Sequence, residues 1–364
     1  MLATNPLTVP LVIDYLGGYT AAKGEEGISL ALEQTNRIRC IRLESSLHVM
    51  QKFVRAIYHE LPILEYLVLV MTPRTDDVTF ALPETIQAPR LRHLALVLGP
   101  PIRPRLLTTA SDLVTLRLFM GHSPTFIDPN SLLQRISPLS RLETLEITTS
   151  PDHRAVEARL SHTPTTTTHT ILPYLRLLSF RGVCAYLEVL IRQTATPRLE
   201  RLHAIFFAQP VLSIPCLARF MNTSEDKTLR FDTAKFEFYH YRVSIVTYSH
   251  EENRRCSFGI GVWNTTSMIQ IVDLLGQVFW AVKNLILDYH EEDIRSNDIE
   301  VLHMEWNKLL RPFNFVKNFF FNVDEKCFRN TRLRDAFTSF VDARQKAGHP
   351  VSFKLIGRSP SPSP

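Results

Sequence analysis

Apolar residues recur along the chain at the spacing LxxLxL, in which the second and third apolar positions lie two residues apart. Segment 88–98, APRLRHLALVL, shows the spacing at Leu91, Leu94 and Leu96. Residues two apart on a β-strand point to the same face of a sheet, whereas the residue between them points to the other face. Each copy therefore predicts one short strand with a buried side and an outward side.

The spacing returns about ten times along the chain. The first residues of successive copies are 22 to 34 residues apart, except for one interval of 56. The copies begin at Ile38, Leu64, Leu91, Leu113, Leu142, Leu175, Leu199, Val282 and Val316, with weaker copies at Asp226 and Pro350. One strand in every roughly 20 to 35 residues is typical of a leucine-rich-repeat solenoid. Between the strands, apolar residues three or four apart predict helices, for example at Val183, Leu187 and Leu190. The predicted fold class is α/β, a curved parallel sheet with outer helices built from degenerate repeats.

The same pattern divides the chain into three parts. We expect an N-terminal cap segment over 1–34, the repeat array over 35–356, and a disordered Ser-Pro tail over 357–364. Within the array, residues 232–263 are rich in Phe, Tyr and Val and predict two or three longer, irregular strands, with a hairpin around SHEENRR at 249–255. The threonine-rich segment 162–170 predicts an exposed loop.

Charge and composition narrow the classes of partner. The chain has 41 Lys and Arg against 36 Asp and Glu, a net charge of +5, and no long basic run, which argues against nucleic-acid binding. No stretch reaches the roughly 18 apolar residues that span a bilayer, and the first residues do not resemble a secretory signal. We therefore expect no membrane partner and an intracellular location, in the cytoplasm or nucleus.

Motifs that carry catalysis or hold cofactors are missing from the sequence. It contains no P-loop, nucleophile elbow or HExxH, and its five cysteines never form CxxC. Segments 250–252 and 290–292 read His-Glu-Glu, but neither has a second histidine four residues on. The sequence predicts no catalytic residue, no metal site and no cofactor, and so favours a non-enzymatic binding protein; a hydrolase or other catalytic repeat protein is the alternative.

Strand alternation places the residues between the buried positions on one concave face, which we expect to be the binding site. The candidate residues are Tyr66, Val68, Val70, His93, Val97, Arg117, Phe119, Arg181, Arg201, His203 and Arg230. They form an apolar zone followed by an arginine zone. Aromatic residues and Arg dominate the energy of protein interfaces, and guanidinium binds carboxylate or phosphate in paired hydrogen bonds. The expected partner is a protein ligand that is acidic or phosphorylated, unless the chain's own loops cover the apolar zone.

Several segments make the chain resemble the fungal F-box proteins that carry degenerate leucine-rich repeats. They are PLVIDYLGG, ALEQTNRIRCIRL, LPILEYLVL, LPETIQAPRLRHLAL, SPLSRLETLEI, ATPRLERL, EWNKLLRPF and DAFTSFVDARQKAG. The resemblance implies repeats that recruit a protein and an N-terminal F-box that docks on the adaptor of a cullin-type ubiquitin ligase. Residues 1–34 show no F-box, and LPETI at 82–86, which imitates its opening motif, lies between two repeats. We therefore expect a substrate-binding repeat module that does not bind the adaptor; the alternative is a fragment of a full ligase receptor.

Overall fold

The structure, a computed structural model, describes most of the chain in sixteen stretches. They are residues 9–16, 27–28, 30–45, 50–51, 60–71, 87–97, 110–120, 126–149, 152–161, 169–209, 212–222, 231–239, 242–249, 256–289, 308–323 and 331–357. The chain divides into two compact units, Met1–Leu199 and Glu200–Pro364. Each unit is described by itself.

The first unit contains a parallel sheet in which most strands coincide with LxxLxL copies. The strands of this unit are β1 (Leu11–Leu16), β2 (Ile38–Ser45), β3 (Tyr66–Met71), β4 (His93–Val97), β5 (Thr115–Phe119), β6 (Thr144–Thr148), β7 (Thr170–Ile171), β8 (Leu177–Gly182) and β9 (Thr194–Ala195). Strands β1 to β6 and β8 pair in chain order, all in parallel, and β7 pairs with β9 in a separate small sheet. The N-terminal segment thus supplies a strand, β1, to the edge of the main sheet.

The register between strands aligns equivalent motif positions. Leu94 lies opposite Leu67 on one side and Leu116 on the other, and Leu116 lies opposite Leu145. All four of these leucines are buried, as the alternation predicts. A parallel sheet aligned in this way stacks one leucine of each copy on the next and forms a continuous apolar core.

A tight turn precedes five strands of the first unit, β3 to β6 and β8. The amide of Leu91 donates to the carbonyl of Ala88 at 3.0 Å before β4, and corresponding bonds precede the other four strands. The carbonyl of Glu65, the residue just before β3, accepts from the amides of both Arg92 and His93 at 2.9 and 3.0 Å. The residue that opens the turn is also buried in this copy, at Ala88. The repeating module is therefore longer than LxxLxL and begins three residues earlier.

Three α-helices whose full extent the structure describes lie between strands of the first unit. They are α1 (Pro129–Ile136), α2 (His153–Ser161) and α3 (Cys184–Arg192). The helix expected around Leu187 is α3, and it buries Leu187 and Leu190. Helix α1 begins after Asp128, whose carboxylate accepts from the Ser131 amide at 2.9 Å, and has Pro in its first turn, as helix starts often do. The helical spacing noted in the sequence had not indicated α1 or α2.

The second unit interrupts its parallel order with one reversed strand. Its elements are β10 (Arg201–Phe206), α4 (Pro215–Asn222), β11 (Thr233–Tyr239), β12 (Arg242–Tyr248), β13 (Ser257–Val262), α5 (Thr265–Leu274), β14 (Asn284–Tyr289), β15 (Asn318–Val323), α6 (Thr331–Lys346) and β16 (Ser352–Gly357). The strands lie in the order β10, β13, β12, β11, β14, β15, β16, and only β12 is antiparallel to its neighbours. The longer strands predicted over 232–263 are therefore β11, β12 and β13, and two antiparallel pairings break the simple repeat there.

The fold is a mixed α/β fold with mostly parallel strand pairing. Gly357, expected to begin the tail, ends β16, and 358–364 lie outside the described residues. The segment LPETI and most of the predicted loop 162–170 also lie outside them, except that Thr170 begins β7. Among the helices described, none combines the length and the apolar character needed to cross a bilayer.

Candidate protein-binding face

The candidate binding residues lie at outward strand positions, opposite the buried leucines. We call this side of each sheet the outer face. Eight candidates are on the outer face of the first unit: Tyr66, Val68, Val70, His93, Val97, Arg117, Phe119 and Arg181. Arg201 and His203 are at outward positions of β10 in the second unit, and Arg230 lies outside the described residues. The arginine zone is thus divided between two units, whereas the apolar zone belongs entirely to the first.

Strand register arranges the outer residues of the first unit in rows across the sheet. The central row passes through Asp14, Arg42, Val68, Ala95, Arg117, Glu146 and Ser179. Each member from Arg42 to Ser179 lies between two buried apolar positions, and Asp14 lies between buried Ile13 and half-buried Tyr15. The row therefore has a fixed order of acid, arginine, two small apolar residues, arginine and acid.

Two ion pairs mark the ends of the apolar part of this row. Arg42 Nη1 lies 3.3 Å from Asp14 Oδ2, and Arg117 Nε lies 3.0 Å from Glu146 Oε1. The arginine side chains remain 54% and 52% exposed. Because a guanidinium carries five N–H donors, one contact to a carboxylate leaves donors for a ligand. Both arginines are on strands directly beside the β3–β4 pair.

Between the two arginines, β3 and β4 present an apolar surface. We call it the apolar window, and it consists of Tyr66, Val68, Val70, His93, Ala95 and Val97. The Tyr66 ring stacks on the His93 ring with centroids 4.1 Å apart and planes inclined by 11°. Tyr66 is 42% exposed, and the other five residues are half-buried. Phe119, on β5, extends the apolar surface beside Val97.

The electrostatics of the window favour a neutral His93. Burial lowers the pKa of His93, and the positive charges of Arg92 and Arg117 lower it further, against a smaller opposite effect of Glu65. A neutral imidazole avoids burying a charge in this apolar surface. At neutral pH, the charges beside the window are therefore those of the arginines and their carboxylates.

The outer face of the second unit differs because three of its charged residues, Lys235, Glu237 and Asp288, form a network with one another. Lys235 Nζ lies 2.9 Å from Glu237 Oε1 and 2.7 Å from Asp288 Oδ2. Glu237 also accepts from the hydroxyls of Tyr239 and Ser244, both at 3.2 Å. Burial acts to lower the pKa of Lys235, but the hydrogen bonds and charges of Asp288 and Glu237 outweigh it and raise the pKa. Such a network stabilises the strands rather than offering charge to a ligand.

A serine and a histidine meet on β10 and β13 without the other parts of a catalytic site. His203 Nε2 lies 3.3 Å from Ser257 Oγ, and burial together with the charge of Arg201 lowers the pKa of His203. Gly259 leaves room for the ring, since a Cβ there would lie 3.0 Å from His203 Nδ1. Serine catalysis of this kind uses a carboxylate to orient the histidine, and no described carboxylate contacts His203. Nor do three His, Cys, Asp or Glu side chains converge as metal ligands anywhere in the described stretches.

A groove of about 760 Å³ runs along the starts of β3 to β6 in the first unit. Its lining carries three arginines and three carboxylates. Arg141 pairs with Asp112 at 3.1 Å, and Glu65 pairs with Arg39 at 2.9 Å. Because its charges are balanced and partly paired with one another, the groove has no strong preference for a ligand of one charge.

Sequence reasoning missed two charged residues of the central row, Asp14 and Arg42, whereas strand alternation already indicates an outward position for Glu146. A signal for the two was available, because Ile13-Asp14-Tyr15 and Ile41-Arg42-Leu43 place each residue at the centre of a strand motif. Aligning the copies at this position would have placed both residues in one row with Arg117.

The chain matches no protein-family model, no curated protein and no solved structure.

Proposed function

We propose that the chain is a non-enzymatic protein-recognition module, built as a leucine-rich-repeat solenoid whose concave side is the outer face. The observation that carries the proposal is the apolar window between Arg42 and Arg117. Protein interfaces have an apolar centre with a polar rim, and aromatic residues and Arg supply much of their binding energy. The window has this composition, with Tyr66 as the exposed aromatic residue.

The repeating module supports the solenoid part of the proposal. In both units the carbonyl before one strand accepts two amides of the next copy, as Glu65 does in the first unit and Asp232, with Lys283 and Asn284, in the second. Stacked copies that contact mainly their neighbours are the defining property of repeat arrays. The antiparallel strands β12 and β13 are an insertion in this scheme.

The resemblance to fungal F-box receptors supports substrate recruitment as the role of such a module, inside the cell, in the cytoplasm or nucleus. The expected ligand is a protein with acidic or phosphorylated groups, because Arg42 and Arg117 border the window. A fragment of a complete ligase receptor is the alternative. Micromolar binding of the purified chain to the cullin adaptor would favour that alternative.

Site-specific cross-linking tests the proposal. Benzoylphenylalanine placed at Tyr66 in the window should cross-link a discrete partner in fungal cells. The same group at Tyr248, an outward position in the second unit, serves as the control and should not cross-link that partner. Val68→Glu should abolish the product at position 66, because it buries a charge at the centre of the interface. Equal products at both positions, or none at position 66, would contradict the proposal.

A further inference from the structure

We infer that the apolar window binds an extended protein segment in which an apolar side chain is flanked, two residues away on each side, by acidic side chains. The inference rests on the proposed function and names the chemistry of the partner. It is carried by the order of the central row, in which Arg42 and Arg117 enclose Val68 and Ala95.

The spacing of the two arginines selects an extended ligand. Arg42 on β2 and Arg117 on β5 are three strand positions apart, and adjacent strands lie about 4.8 Å apart, so their backbones are separated by about 14 Å. An extended chain rises about 3.4 Å per residue, so positions i and i+4 are also about 14 Å apart. Positions i, i+2 and i+4 share one face, so an apolar residue at i+2 would lie over Val68 and Ala95.

A helix laid along the same row fits less well. It rises about 1.5 Å per residue, so about nine residues separate points 14 Å apart. Nine residues amount to about two and a half turns, which places the two ends on opposite sides of the helix. A helix could therefore present one acidic residue to Arg42 or to Arg117. The acidic residue about nine positions away, which would have to reach the other arginine, would point to the opposite side of the helix.

The order of charges in the central row favours a ligand whose apolar residue is flanked by acidic rather than basic residues. Asp14 and Glu146 lie on the far side of each arginine from the window, so a ligand centred on the window meets the guanidinium groups first. Carboxylates would share these guanidinium groups through charge-assisted hydrogen bonds, whereas Lys or Arg would be repelled. The exposed halves of both arginine side chains make them accessible for this contact.

Peptide selection with the full chain as bait tests the inference. The probe is a displayed library of nonapeptides with a fixed central Leu and random neighbours, in which Asp and Glu should be enriched two residues before and after the Leu. A fluorescent peptide, Ser-Gly-Glu-Ser-Leu-Ser-Glu-Gly-Ser, should then bind at least tenfold more tightly than its isomer Ser-Gly-Ser-Glu-Leu-Glu-Ser-Gly-Ser. The two peptides have the same composition and net charge, so only the spacing of the acids differs.

Reversing the order of charges provides the matched variant. The combined changes D14R, R42D, R117E and E146R retain both opposite-charge pairs and the net charge, but place carboxylates beside the window. This variant should select Lys and Arg at the flanking positions. D112R with R141D reverses an ion pair outside the window and should leave the acidic preference unchanged. If the fourfold variant does not fold, R42Q with R117Q should bind the first peptide at least tenfold more weakly than the unchanged chain.

The outcomes separate this inference from the proposed function. Selected peptides without acids at the flanking positions, or an acidic preference that survives charge reversal or the double Gln change, overturn the inference and leave protein recognition standing. Failure to select any peptide overturns the inference, whereas cross-linking through position 66 tests the proposed function on its own.

Discussion

Tyr66 and His93 are directly opposite one another on neighbouring parallel strands, and their rings stack with centroids 4.1 Å apart. The pair forms one end of the apolar window. It also couples the window to pH, because protonation of His93 would place a charge in a half-buried stack beside Arg117.

Stability should fall as the pH drops below about 6.5. The pKa values of His93 and His203 are lowered in the folded chain, so the unfolded chain binds protons first and unfolding becomes easier. This contribution is fully present above the unfolded value of 6.5 and is lost as the pH falls towards the lower folded values. The measurement is the denaturant midpoint at pH 7.5, 6.5 and 5.5. The double change H93Q and H203Q should make the decline smaller; an equal decline would show that these rings do not cause it.

Shortening the leucines of the continuous core should destabilise the first unit strongly. Leu94, Leu145 and Leu178 are 1%, 2% and 7% exposed, and each changed singly to Ala should lower the free energy of unfolding by about 2 to 5 kcal/mol. Chemical denaturation measures the change. Thr115→Ala, at an outward position of β5, is the control and should cost about 0.5 kcal/mol or less. Equal costs at buried and outward positions would contradict the alternation.

The start of α1 should depend on Asp128. Its carboxylate accepts from the Ser131 amide at 2.9 Å, and Asp128→Ala should cost about 1 kcal/mol because that amide loses its partner. Asp128→Asn retains an oxygen at the same place and should be nearly neutral. Thermal unfolding of the two variants distinguishes this capping effect from a general effect of changing the residue.

Replacing Lys235 should lower the stability of the protein, because it leaves a buried carboxylate without its ionic partner. Asp288 is only 5% exposed, and Lys235→Met takes away its ionic partner at 2.7 Å, which should cost about 1 to 3 kcal/mol. Adding Asp288→Asn removes the charge of the more buried of the two carboxylates that Lys235 pairs with and should restore part of the loss. If the double variant is less stable than the single one, the network is held by contacts other than this ion pair.

The sequence predicted the parts of the fold that depend on local periodicity. Leu94 and Leu96 are two apart, so they define a strand face whatever lies next to it, and Leu187 and Leu190 define a helix in the same way. Helix α1 was missed because it has only eight residues and its main signal is its start, Asp128 followed by Pro129. The strands on either side of 249–255, β12 and β13, pair antiparallel, as the hairpin predicted there requires. The second reversal, between β11 and β12, could not be predicted, since Val243 and Ile245 alternate equally well in parallel and antiparallel strands.

The sequence predicted which residues of the candidate face point outward, but not which charged residues pair with one another there. Alternation alone places Val68 and Arg117 at outward positions. Which acid meets Arg117 depends on register with a strand 29 residues further on, at Glu146. The division of the arginine zone between two units also depends on how the chain packs, which a periodic pattern does not encode.

The two hydrogen bonds to the carbonyl of Glu65 fix the next strand at its start, through Arg92 and His93. Because these bonds join only residues at the starts of β3 and β4, the length of chain between the two starts can change while the strands stay in step. A gene encoding such a chain can gain or lose one copy by duplication or deletion. Each event would widen or narrow the outer face by a single strand, which, under the proposed function, offers evolution a simple way to match partners of different length.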